Sequence, residues 1–205
     1  MFKRIVVMFG VGLILSTAVP SRAAVIYSTI PPSNTFNLTY AVGVGGPSSP
    51  WGEMDVAAQF TVPSVTDLYV DTIDVALDSY SVSAVVDIMI MTDNSERPGT
   101  VLQTAQLIAP NEPAIVTADF PNSLVLTVGS KYWVCVSPQS DGQALWKYAE
   151  PALIGNCRFS SDNWQTSGGY SNMSAFRVNG VPEPATLLLL GFGVMGIFRR
   201  KNHEL

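Results

Sequence analysis

Asp71-Thr72-Ile73-Asp74-Val75-Ala76-Leu77-Asp78 alternates residue by residue from Ile73 onward. Ile73, Val75 and Leu77 fall on one face of an extended chain, with Asp74, Ala76 and Asp78 on the other. A period of two is that of a half-buried β-strand, because successive side chains point to opposite sides of the pleat. Val82 to Met91 repeats the pattern, setting Val86, Ile88 and Ile90 against Asp87, Met89 and Met91. Thr92-Asp93-Asn94-Ser95-Glu96-Arg97-Pro98-Gly99 then consists largely of turn formers.

The same alternation of short apolar runs and turns extends outward in both directions. Ala57 to Val62 is a strand ended by Pro63-Ser64. Val101 to Ile108, Ile115 to Phe120, Leu124 to Val128 and Lys131 to Ser137 follow, and Leu145 to Tyr148, Cys157 to Ser160 and Ala175 to Asn179 close the series. In Lys131 to Ser137, Tyr132, Val134 and Val136 share one face and Trp133 and Cys135 the other. Gly43-Val44-Gly45-Gly46 reads as a flexible loop. No long amphipathic helix and no repeat of 20–50 residues stands out. Short strands with turns between them predict an all-β fold, an antiparallel, jelly-roll-like β-sandwich over 24–180, with a barrel as the alternative.

The two ends read differently. Lys3 and Arg4 precede the apolar stretch Ile5 to Leu15, and small residues lead to Ser21-Arg22-Ala23. That is the pattern of a secretory signal peptide cut after Ala23, with Ser16 and Ala18 offering a second site. The alternatives are a buried helix or a retained anchor, but about 11 apolar residues fall short of the ~20 that span a bilayer. At the other end, Val181-Pro182-Glu183-Pro184 leads into the uncharged run Ala185 to Phe198 and then Arg199-Arg200-Lys201. As a helix that run would be about 21 Å long, against a hydrocarbon core of ~30 Å. The basic cluster is a cytoplasmic stop, and Lys3 and Arg4 imply the same orientation, so both ends predict an extracytoplasmic body. Pro182 and Pro184 hold the stretch before the helix extended.

Between residues 24 and 181 there are five Lys/Arg and fourteen Asp/Glu, a net charge of −9 against −5 for the whole chain. Such a body is repelled by phosphate backbones and has no basic patch for anionic lipid, which argues against nucleic-acid binding. Cys135 and Cys157 both fall in the exported part. An oxidising compartment permits a disulfide between them, closing a loop of roughly 22 residues and adding about 3 kcal/mol. The alternative is two buried thiols acting as small hydrophobes.

The single histidine is His203, in the tail. The body is therefore expected to lack Ser-His-Asp and Cys-His catalysis and His-based metal sites, and no cofactor or metal is expected. Carboxylate chemistry passes this filter. Glu53 and Asp55 share a strand face beside Trp51, which leaves a glycoside hydrolase as one reading and solvated loop charges as the other. Asp93, Asn94 and Glu96 offer oxygen ligands for Ca²⁺, or Asx-turn hydrogen bonds, without the EF-hand spacing. Trp146, Tyr148, Trp164 and Tyr170 are the candidates for a carbohydrate-stacking face.

Val181-Pro182-Glu183-Pro184-Ala185, the Leu-rich span with glycines and Arg199-Arg200-Lys201 resemble the PEP-CTERM sorting signal over about the last 25 residues. The resemblance implies that an exosortase, a membrane-embedded cysteine protease of Gram-negative bacteria that make exopolysaccharide, recognises Pro182, Glu183 and Pro184. An ordinary single-pass anchor is the alternative. The body resembles the choice-of-anchor domains of type R. Trp51-Gly52, Ala58-Gln59-Phe60-Thr61-Val62-Pro63, Asp93-Asn94, Arg97-Pro98-Gly99-Thr100-Val101-Leu102 and Leu126-Thr127-Val128-Gly129-Ser130-Lys131-Tyr132-Trp133-Val134 carry that likeness. It implies a β-sandwich without an assigned activity.

The expectation is thus a non-enzymatic surface or matrix protein. Its partners are signal peptidase and exosortase, the inner membrane in transit, and exopolysaccharide as a possible ligand. Its destination is the cell surface or extracellular matrix. A carbohydrate-binding module and a carboxylate-dependent glycosidase are the competing readings.

Overall fold

The computed structural model describes residues 24–63, 68–80, 84–121, 124–139, 141–165 and 168–182. The predicted signal peptide, the tail helix, Glu183, Pro184, Arg199, Arg200 and Lys201 lie outside them. The described residues form strands, turns and loops, with no helix among them.

Two antiparallel sheets face each other. Strand β4 (Leu68–Ser79) is the axis of the first, and it contains the Asp71–Asp78 alternation. β13 (Phe176–Pro182) lies along one side of β4, and β10 (Gln143–Ala149) takes over that side at Leu77–Ser79. β7 (Ala114–Asp119) and β8 (Val125–Leu126) pair with its other side. β1 (Ala24–Ser28) flanks β13, and β2 (Phe36–Gly45) flanks β10. The second sheet runs β12 (Gly168–Asn172), β11 (Ile154–Ser160), β3 (Asp55–Thr61), β9 (Lys131–Pro138), β5 (Val85–Asp93) and β6 (Pro98–Ile108).

The core lies where alternation put it. Ile73, Val75 and Leu77 from the first sheet meet Val86, Ile88, Ile90, Val134 and Val136 from the second, all fully buried. Phe176 ties the layers together, with ring centroids 5.5 Å from Tyr27 and 6.1 Å from both Phe60 and Trp146. Aromatic rings at such separations add to the area they bury.

Two expectations about the sheets need correction. The outer face of β4 is covered as well as the inner one. Ala76 packs with Ile30 and Ala175, and Asp74 accepts hydrogen bonds from Thr117 Oγ1 (2.8 Å), Asn179 Nδ2 (3.1 Å) and Arg177 Nη1 (3.4 Å). The segment after β1 crosses this face, so a carboxylate that alternation assigned to solvent is buried and needs its partners. Gly43 to Gly45, read as a flexible loop, end β2 instead. A side chain at Gly43 would collide with the Trp51 ring, and one at Gly45 with Ser49. These glycines permit close approach of the 49–52 turn to an ordered strand.

Candidate functional site

β13 carries the chain to the sorting motif, and it is an interior strand. Gly180 pairs with Ala24 of β1 on one side and Val70 of β4 on the other. Val181 and Pro182 continue the ladder on β4 opposite Tyr69 and Leu68. Pro182 therefore stands at the end of the sheet with no linker between body and motif. A side chain at Gly180 would run into Ile26 and the Tyr69 carbonyl, so only glycine lets β1 and β4 close on it. Just beyond β1, Thr29 N donates to Phe176 O (2.9 Å), Phe176 N donates to Thr29 Oγ1 (2.8 Å), and Thr29 Oγ1 donates to Ser174 O (2.7 Å). The first strand is thus clasped to the last by buried polar groups that satisfy one another.

Cys135 and Cys157 are free and buried, and the expected disulfide is absent. Their positions in the pleat explain why. Cys135 is opposite Ala57 and Cys157 opposite Ala58, adjacent residues of the strand between them. Adjacent residues face opposite ways. Cys157 therefore sits in the inter-sheet core, and Cys135 on the outer face with Trp133, Met91 and Trp164. Burial pushes the Cys135 thiol well above its ordinary pKa and raises that of Cys157.

Two of the four candidate stacking aromatics, Trp146 and Trp164, are buried. Trp146 is fully buried, and its indole N–H donates to the Ala175 carbonyl at 3.0 Å. It is a core residue, because it shares the inward face of β10 with Ala144. Trp164 is 8% exposed and belongs to the cluster around Trp133, so little of its ring is open. Tyr170 lies in β12 opposite Cys157 in the ladder. Tyr148 borders a hollow of about 330 Å³ with Asn37, Asn172 and Tyr40. Tyr40, which the strand pattern gave no reason to select, is 67% exposed. The signal for it was Tyr40 following Asn37-Leu38-Thr39, where Asn37 Oδ1 accepts from the Thr39 and Tyr40 amides and turns the strand edge outward.

A second depression, about 650 Å³, lies between the 92–100 turn and the 160–165 loop, with Asp93, Asn94, Arg97, Asn163 and Trp164 on its wall. Its rim carries left-handed backbone at Ser95 (54°), Glu96 (66°), Asn163 (55°) and Trp164 (66°). Asp93 is committed internally: Oδ1 accepts from Trp133 Nε1 (2.8 Å) and Gln59 Nε2 (2.7 Å), and Oδ2 accepts from the Glu96 amide (3.3 Å). Glu96 pairs with Lys131, whose hydrogen bond holds its carboxyl below the ordinary range. Asp93 therefore acts as the hub of a turn, and no group of three or more His, Cys, Asp or Glu that could hold a metal occurs among the described residues.

Glu53 is exposed and precedes β3, whereas Asp55 opens it half-buried. Burial raises the Asp55 pKa, a hydrogen bond with Ser137 opposes the rise, and the Glu53 charge adds to it. The pair differs in environment, as an acid and a base must, with Glu53 exposed to solvent and Asp55 half-buried.

Comparison with known proteins separates tail from body. No curated protein matches the chain. Among solved structures, the body is similar to the clostridial cysteine protease Cwp84 after propeptide cleavage, at 12% identity and a TM-score of 0.48, over 72% of this chain and 40% of that one. It is also similar to the cysteine protease and lectin-like domains of Cwp84, a surface layer associated protein of Clostridium difficile. There the identity is 12% and the TM-score 0.43, over 63% of this chain and 32% of that one. This chain thus spans well under half of either, and at that likeness neither informs its activity. The tail is specific: residues 180–201 match the family model described as the PEP-CTERM protein-sorting motif. The chain is therefore an all-β body that runs, through its last strand, directly into a PEP-CTERM protein-sorting motif.

Proposed function

We propose that this chain is a non-enzymatic exported protein of the cell surface or extracellular matrix of a Gram-negative bacterium. Signal peptidase removes residues 1–23, and an exosortase recognises Pro182, Glu183 and Pro184 and processes the tail at the inner membrane. The observation that carries this reading is the match of residues 180–201 to the PEP-CTERM motif, which begins within the last strand of the sandwich. The excess of carboxylates over Lys and Arg between the two signals supports a partner other than nucleic acid. The absence of histidine from the body supports a role without imidazole catalysis. Replacing Pro182, Glu183 and Pro184 together by alanine is expected to leave an unprocessed form in the inner-membrane fraction. A variant recovered outside the inner membrane without the apolar run and Arg199-Arg200-Lys201 would contradict the reading.

One observation favours a second reading, a carbohydrate-binding module for exopolysaccharide. The Tyr40–Tyr148 hollow pairs an exposed ring with amide side chains, the combination that seats a sugar ring and its hydroxyls. Retention of the protein on purified exopolysaccharide, lost in Tyr40→Ala with the fold intact, is the result this reading requires.

A further inference from the structure

The strand that delivers the motif is unavailable to a protease up to a defined residue. A protease takes its substrate as an extended strand and pairs with its backbone N–H and C=O groups. From Phe176 to Gly180 those groups already serve the ladders with β1 and β4, and Val181 and Pro182 still pair with β4. Peeling this strand away would also expose Phe176 and Val178, both fully buried, and break the Thr29 clasp. Glu183 is the first residue beyond the last ladder pair, Pro182 with Leu68.

The opposite side of the pair is equally informative. Ala24, the first residue after the expected signal-peptide cut, lies directly across from Gly180. Both processing junctions therefore sit at one end of the sandwich, on neighbouring antiparallel strands.

We propose that the folded body sets the upstream limit of tail processing: the exosortase breaks a peptide bond at or beyond the Pro182 carbonyl, at the end of the body where signal peptidase has already cut, without releasing β13. This rests on the sorting reading above. In the step itself a backbone C–N bond breaks, water or an amine acceptor takes the acyl carbon, and the leaving amine gains a proton. Residues 24–182 stay intact as a sandwich throughout.

The test uses the full chain in cells with their own exosortase. Tandem mass spectrometry of the processed form is expected to place the C-terminal residue at Pro182 or downstream of it. A staple then asks whether β13 must peel. Val25 and Asn179 are direct partners across β1 and β13, so Val25→Cys with Asn179→Cys places two thiols face to face, and loss of two hydrogens reports closure. The stapled protein is expected to lose its tail in the same yield as the single Val25→Cys and Asn179→Cys variants, which check that the body tolerates each change, including the loss of the Asn179 hydrogen bond to Asp74. A C-terminus upstream of Pro182, or tail removal blocked by the staple and by neither single substitution, would overturn the proposal. A wild-type protein that keeps its tail is a different result, and brings down the sorting reading itself.

Discussion

At the scale of single residues, parity along a strand decides what each side chain can do. Cys135 and Cys157 were candidates for a bridge on compartment grounds, and the pleat puts them on opposite faces of one sheet. Both thiols are expected to resist alkylation in the folded protein and to react once it is unfolded, and reduction should leave the intact mass unchanged. Loss of two hydrogens in the native mass would contradict this. Their raised pKa also has a sign. The unfolded thiols ionise first, so stability falls as pH rises beyond about 8.5, and Tyr27, also raised by burial, adds to the fall from about 10. Asp55 works in the opposite window. Its folded pKa is raised, so its contribution is fully present below the unfolded value of about 3.9 and is lost as pH climbs through the folded one. Asp55→Asn keeps an acceptor for Ser137 and is expected to raise the melting temperature at pH 7, with the gain vanishing at pH 3. An equal gain at both would show that burial of charge is not the cause.

Elements were legible in proportion to how regularly they alternate. β4, β5 and β9 carry apolar side chains on every second position, and the structure puts those residues in the core. β1 and β12 were missed because their information is not periodic, whereas β2 alternates and was passed over for its glycines. β2 is an edge strand in which Leu38, Tyr40, Val42 and Val44 do alternate with polar or small residues, but only Val42 and Val44 reach the core, Leu38 and Tyr40 are exposed, and its end was read as a glycine loop. β12 opens on Gly168-Gly169, where a Gly168 side chain would meet the Phe159 ring. β1 directly follows the predicted signal peptide and is recognisable as a strand only through its partner at the other end of the chain. That partnership makes a quantitative expectation possible. Thr29→Val keeps the shape and leaves the Phe176 amide and the Ser174 carbonyl without their buried partner, which should cost about 1–3 kcal/mol in denaturant unfolding. A change within error would mean that β1 is not held by the clasp.

At the scale of the whole molecule, the address was readable from sequence and the ligand chemistry was not. Pro182-Glu183-Pro184, the apolar run and the basic end are contiguous, so a linear reading finds them. Surface sites assemble from distant segments. Tyr40 and Tyr148 come from β2 and β10, and Trp146, two residues from Tyr148 and chemically the better stacking candidate, turns inward. What the structure adds to the tail is its attachment: the motif starts inside a sheet, and the predicted signal-peptide junction lies beside it. The most direct test of this account is the intact mass of the protein recovered from outside the inner membrane. The account predicts a species that begins at Ala24 and has lost the apolar run and Arg199-Arg200-Lys201. A species that still carries residues 182–205 would contradict it.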